Sequence, residues 1–134
     1  FFNVSTKNYK GLNKLIKFFQ SKAIKKKWQF VEDEITNKDF IFISNECTRN
    51  SILKYLHKEI PYKINVKNLL FKTLKNKDIK IKQSIELKNS RYKSIILGKN
   101  GITIKKIREN SQKEISSIMD KKIHLYLQVI KVND

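Results

Sequence analysis

Apolar and polar residues alternate along "IKIKQSIELK", residues 79–88, with Ile79, Ile81, Ile85 and Leu87 on one side. A period of two predicts a half-buried strand. "YKINV", residues 62–66, alternates in the same way and predicts a partner strand, with Asn76, Lys77 and Asp78 as the turn between them. "IHLYLQVIKV" turns Ile123, Leu125, Leu127 and Val129 inward as a final strand. Elsewhere the period lengthens to three and four, the spacing of a helix face. Ile52, Leu53, Tyr55 and Leu56 mark a helix over about 43–58 that must stop before Pro61, because the residue preceding proline is pushed out of the α region. A short helical segment covers residues 92–97. A longer helix follows it, with Ile104, Ile107, Ser111, Ile115 and Ile118 as its apolar side.

From residue 43 onward the order is helix, strand, strand, helix, helix, strand. This is an α+β layer with a three-stranded sheet covered by helices on one face. Ahead of it, residues 1–4 read as a short strand, followed by a loop and a helix carrying Leu12, Leu15, Ile16, Phe18 and Phe19. One strand and one helix cannot bury that much apolar surface, so residues 1–24 read as the end of another domain. The charged stretch 25–42, with Lys25 to Lys27 and Glu32 to Glu34, reads as a linker, and residues 43–134 as the second domain. The chain opens on Phe1 rather than Met, from which a longer parent protein is expected.

Charge changes the picture. Thirty Lys and Arg against 12 Asp and Glu give a formal net charge of +18, which calls for a polyanionic partner. Residues 60–134 hold 18 basic and 6 acidic side chains and residues 1–59 hold 12 and 6, so the positive field lies mainly in the second half. Lys, Asn and Ile dominate the composition and share A/T-rich codons, so part of the lysine excess reflects coding bias. A single cysteine, Cys47, excludes an intramolecular disulfide and argues against a thiolate zinc site. It sits on an apolar helix side and reads as a packing residue. His57 and His124 lack neighbours at ligand spacing, no Ser/His/Asp set or carboxylate pair suggests catalysis, and no apolar run approaches the roughly 18 residues of a membrane span.

Two of the three glycines, Gly98 and Gly101, bracket Lys99 and Asn100 in "YKSIILGKNGITIKKI". A loop of this kind lets the backbone turn tightly and present amides without intervening Cβ atoms. The helix after it brings unpaired N–H groups and a positive dipole end to the same place. Lys93, Lys99, Lys105, Lys106 and Arg108 surround the spot, and Leu97 and Ile102 are candidates for an apolar floor under bases. Lys99 is the first choice for a phosphate contact. Lys82, Lys88 and Lys93 are candidates for the far wall of a groove. Both glycines are expected to leave the room a phosphate needs.

"IILGKNGITIKKI" resembles the KH motif, whose Gly-x-x-Gly loop clamps about four nucleotides of single-stranded RNA, and the element order resembles the type II arrangement. The longer run from "EIPYKINV" to "LYLQVIKV" is similar to the C-terminal KH domain of Era-type GTPases. "FFNVSTK" resembles the last guanine-contacting segment of such a GTPase domain, with Ser5, Thr6 and Lys7 in its place. "LNKLIKFFQSKA" resembles its closing helix, and "WQFVEDEITNKD" the interdomain linker. Thr6 stands where the family has alanine, Val31 where the linker has proline, Asn50 and Ser51 where Glu-Lys is common, and Lys67 where an acidic residue is frequent.

The resemblance implies a type II KH domain preceded by a strand-helix remnant of an α/β GTPase domain. It also implies binding of single-stranded rRNA near the 3′ end of small-subunit rRNA, with the small ribosomal subunit or its precursor as partner, in ribosome assembly. A monomer without a membrane span is expected, in the bacterial cytoplasm or an organelle of bacterial descent. The full-length parent would be a GTPase using GTP and Mg. This chain contains no G-x-x-x-x-G-K-[ST], so it is expected to be neither an enzyme nor a cofactor carrier by itself. A structural ribosomal protein with a type II KH fold is the competing expectation.

Overall fold

The computed structural model describes residues 1–27, 38–56 and 60–132. The expected linker falls largely outside these residues, as does His57. The chain divides into two compact units, residues 1–37 and 38–134.

In the first unit, helix α1 spans Leu12–Lys22. Residues 1–4 form no strand, contrary to the pattern in the sequence. A strand is stabilised by the ladder it shares with a neighbour, and no described residue pairs with these four. Phe2 and Phe18 meet with ring centroids 5.1 Å apart. Even so, α1 buries none of its residues, and Phe1, Phe2, Val4 and Phe19 are exposed.

The second unit opens with α2, Phe40–Tyr55. It begins three residues before its periodicity suggests because Asp39 caps it, accepting a hydrogen bond from the Phe42 amide at 2.7 Å. A 3-10 turn, Ile60–Lys63, leads into β1, Ile64–Thr73, which runs antiparallel to β2, Ile79–Leu87. Strand β1 is twice as long as its alternation indicates. The register slips between Asn68 and Leu70, leaving Leu69 as the extra, exposed residue of a bulge. The inward set therefore changes phase from Ile64, Val66 and Asn68 to Phe71 and Thr73, and a period-two reading loses the strand at that point.

Beyond β2 come α3, Arg91–Leu97, then α4, Ile102–Met119, and β3, Ile123–Lys131, which pairs parallel to β2. A parallel neighbour needs a crossover, and α3 and α4 supply it. The strand order is β1-β2-β3. Helix α2 packs on β1 and α4, and α4 packs on β3. The α+β fold with a three-stranded sheet is thus the one the sequence leads to.

The core lies between sheet and helices in two apolar clusters. One contains Cys47, Ile81, Ile115, Met119 and Leu125, the other Ile52, Ile64, Ile85, Ile96 and Ile107. A polar layer separates them. Gln83 points inward from β2 between Ile81 and Ile85, fully buried. Its amide accepts from Thr48 Oγ1 at 2.6 Å and donates to Ser44 Oγ at 3.3 Å and Asn45 Oδ1 at 3.0 Å. A buried amide is tolerated only with such partners, and this ties α2 to the middle strand at one register.

Two core assignments are corrected. Ile118 is 49 % exposed and Met119 packs in its place; Leu53 is 44 % exposed while Ser51 and Ile52 are buried. In each case adjacent residues lie 100° apart on the helix, and the neighbouring layer chooses between them. Cys47 packs as expected, and burial pushes its thiol up to about 11, so it is not a nucleophile at neutral pH.

Candidate nucleic-acid interface

Helix α3 ends where the Gly98 amide donates to the Ser94 carbonyl at 2.8 Å and Gly98 turns to φ 70°, ψ 175°. That region is essentially glycine-only. Asn100 follows at φ 52°, ψ 28°, a left-handed conformation that asparagine accepts, and Gly101 at φ 75°, ψ 12° stands at the N-cap of α4. Gly101 has no side-chain acceptor to offer, and no side chain caps the first turn of this 18-residue helix. The positive end of its dipole therefore opens beside the loop.

The two glycines are required for different reasons, which corrects, at Gly98, the expectation that both leave room for a phosphate. A Cβ on Gly98 would collide with Thr103, against its Oγ1 and at 2.8 Å from its Cβ and 2.9 Å from its backbone nitrogen. The protein itself fills that space. A Cβ on Gly101 would meet only Ile104 Cγ2, at 3.9 Å, so within the protein itself only the backbone angle calls for glycine here, and the space beside it is open. Thr103 is the residue sequence reasoning missed. Its position two after the second glycine carries no periodic signal.

Lys99 and Asn100 are exposed at the tip. Lys93 on α3 and Lys106 on α4 are also exposed, and no ion pair holds Lys93, Lys99 or Lys106 among the described residues. Lys105 and Arg108 are partly neutralised: Glu109 lies 4.0 Å from Lys105 and 3.3 Å from Arg108, and Arg108 also donates to Gln112 at 3.4 Å. Ile102 is 52 % exposed, one turn from Lys106 on the same helix face, and Leu97 is half-buried. Ile95, at 47 % exposure, is an apolar surface residue of α3 that the sequence did not single out. Seven residues are too few for periodicity to separate it from its buried neighbour Ile96.

Other candidates lie elsewhere. Lys82 is on β2, whose odd-numbered residues face the helices, so it projects from the opposite side of the sheet and cannot wall a groove with the loop. Lys88 follows β2 and lines an open cleft of about 690 Å³ with Tyr62, Asn65 and Tyr92. Ser5, Thr6 and Lys7 belong to the first unit, in a turn where Ser5 is half-buried and Thr6 and Lys7 are exposed. His124 Nε2 pairs with Asp78 Oδ2 at 2.7 Å, and this hydrogen bond, ahead of every other influence, holds the Asp78 carboxyl below its ordinary value. No cluster of three metal-ligating side chains occurs among the described residues, and no helix among them is long and apolar enough to cross a membrane.

A Gly-x-x-Gly turn between two helices, set on a three-stranded sheet with a parallel last strand, defines a nucleic-acid-binding module. Residues 59–134 match the KH domain, and the chain belongs to that family. GTPase Era of Rickettsia typhi is 39 % identical over 128 residues, which cover 96 % of this chain and 43 % of that protein. GTPase Era of Maricaulis maris is 31 % identical over 128 residues, 96 % of this chain and 41 % of that protein. Two solved structures superimpose with a TM-score of 0.87 at 26 % identity, each covering 98 % of this chain and 44 % of the other. One is an Aquifex aeolicus Era variant bound to GDP·AlF4−, the other Era in complex with MgGDPNP and nucleotides 1506–1542 of 16S ribosomal RNA. This chain spans less than half the length of the relatives it matches.

Proposed function

We propose that this chain is the RNA-binding module of an Era-like GTPase and grips a single-stranded segment near the 3′ end of small-subunit rRNA during ribosome assembly. The observation that carries this reading is the exposed Lys99–Asn100 tip, held by two positive-φ glycines at the uncapped start of α4. Backbone amides and the helix dipole supply a fixed positive potential, and Lys99 adds a mobile cation for a phosphate. Ile102, Leu97 and Ile95 offer apolar surface on which unstacked bases can lie. The Era complex with 16S rRNA nucleotides supports this choice of ligand.

The parent protein on this reading hydrolyses GTP with Mg, acts as a monomer on the small subunit or its precursor, and resides in a bacterial cytoplasm or an organelle of bacterial descent. GTP and Mg would be held mainly by residues outside this chain. The fragment offers only the Ser5–Thr6–Lys7 turn toward a guanine base, and its exposed Thr6 and Lys7 are compatible with that role.

Lys99→Asp with Asn100→Asp tests the loop without disturbing it, because both side chains are exposed and Asp tolerates the left-handed angle at residue 100. A single-stranded RNA of rRNA 3′-end sequence is expected to bind the double variant at least about tenfold more weakly. Equal affinity of variant and unaltered chain in a fluorescence-anisotropy titration refutes the proposal.

A further inference from the structure

The sheet has a second face, turned away from α2 and α4. Residues 79, 81, 83, 85 and 87 of β2 are buried against the helices, so the even-numbered residues project the other way with their cross-strand partners. The register builds this face row by row: Lys72, Lys80 and His124; Leu70, Lys82 and Tyr126; Lys67, Ser84 and Gln128. Lys67, Lys72, Lys80 and Lys82 thus lie on one side of the sheet, with Ser84 buried among their row neighbours. Two acidic groups border this face. Glu86, at the far end, is within hydrogen-bond reach of Asn65 at 3.4 Å and Ser84 at 3.5 Å, and Asp78 is paired with His124.

Two features set this face apart from an ordinary solvated surface. Lys72 and Lys80 stand directly opposite each other across the β1–β2 ladder, an arrangement that costs stability. A polyanion would relieve that repulsion. Tyr126 is 52 % exposed on the outer side of the edge strand β3, with the ammonium of Lys80 on the middle strand 5.4 Å from its ring centroid. A cation and an aromatic plane are therefore offered at one point. Single-strand binders combine these two elements, stacking bases on the ring and holding phosphates with the cations.

We infer that the outer face of the sheet, centred on Tyr126, Lys80 and Lys82 with Lys72 and Lys67 beside them, is a second docking surface for single-stranded RNA, separate from the glycine loop. It shares with the proposed function only the class of ligand. The loop lies at a helix junction on the covered side, so a strand of about four nucleotides can occupy one surface but not both. A longer strand reaches both.

The test compares a 5-nucleotide and a 20-nucleotide single-stranded RNA on the full chain and three variants: the triple Lys72→Gln, Lys80→Gln, Lys82→Gln; Tyr126→Ala; and the loop variant Lys99→Asp, Asn100→Asp. The triple variant is expected to bind the 20-mer at least tenfold more weakly, with a salt-dependence slope lower by about 2 for three lost phosphate contacts. Tyr126→Ala is expected to lose about tenfold on the 20-mer. Neither should alter 5-mer binding through the loop. Removing the lysine repulsion should leave the melting temperature no lower than before, and Lys→Arg at the same three positions should retain binding. If the loop variant binds the 5-mer normally while the triple variant still loses the 20-mer, the loop reading falls and this one stands. Unchanged 20-mer affinity and slope in the triple variant overturn the inference. So does loss of binding only to phosphatidylserine vesicles, which would make the face a lipid contact.

Discussion

Two connections in this molecule reverse the chain within a few residues, the turn 74–78 between β1 and β2 and the loop 98–101 between α3 and α4. Both satisfy some of their amides within the turn, and they differ in what they leave at their ends. In the hairpin turn, the Leu74 amide donates to Asp78 at 2.8 Å, that of Lys77 to Leu74 at 3.0 Å, and that of Asp78 to the Asn76 side chain at 3.2 Å. Three of its five amides donate within the turn, and the left-handed position at φ 68° is filled by Lys77, not by glycine. The α3–α4 loop devotes two glycines to a tighter path, packs Thr103 beneath the first, and brings no side-chain cap to the start of α4. A turn that only reverses the chain satisfies itself. One that leaves a helix terminus open and surrounds it with lysines suits the anion of the proposed function.

The contrast can be broken in four places. Gly98→Ala should have the largest effect, about 3 kcal/mol or more of lost stability, because it combines a glycine-only backbone angle with a collision against Thr103. Urea unfolding measures it, and a loss below that of Gly101→Ala would show that the loop relaxes freely. Gly101→Ala should cost about 1 kcal/mol, the left-handed penalty alone, since its Cβ enters open space. Lys77→Gly should change stability in the other direction, a gain of up to about 1 kcal/mol, as it removes the same penalty from the hairpin. A destabilised Lys77→Gly protein would mean that the lysine side chain is itself part of the turn's support.

The smallest effect concerns pH. Asp78 is more acidic in the folded chain than an ordinary aspartate, first because of its hydrogen bond to His124. A depressed folded value contributes stability above the unfolded value near pH 4, and that contribution is lost as the pH falls through the lower folded value. His124→Ala should move the Asp78 titration back toward its ordinary position and flatten the acid limb of the stability curve. Carboxyl chemical shifts followed by NMR check the first, and acid unfolding the second. An unmoved Asp78 titration would assign the shift to Asn76 and Lys122 instead.

Much of the fold was legible because burial follows period. Ile79, Ile81, Ile85 and Leu87 could be assigned from alternation because one face of β2 is sealed by helices along its whole length. The second half of β1 was not, because one bulged residue, Leu69, reverses the phase of every residue after it. Asp39 carried the start of α2 in plain view as a capping residue, yet the apolar stripe suggested a later start. In the loop, the spacing of Gly98 and Gly101 was enough to locate the candidate site, and the lysines around it were visible in the chain. Which of them are engaged by Glu109, and that Ile95 and Ile102 are both exposed, depended on packing that spacing does not contain.

The amino-acid order by itself determined the succession of elements, the place of the glycine loop and the excess of positive charge, since propensity, turn chemistry and charge are local properties. Only the tertiary structure decided that Gln83 divides the core, that Thr103 occupies the space a Cβ on Gly98 would need, and that four lysines meet on the outer face of the sheet. Each of those facts depends on residues from different elements coming into register, and strand pairing and helix packing, not neighbours in the chain, set that register.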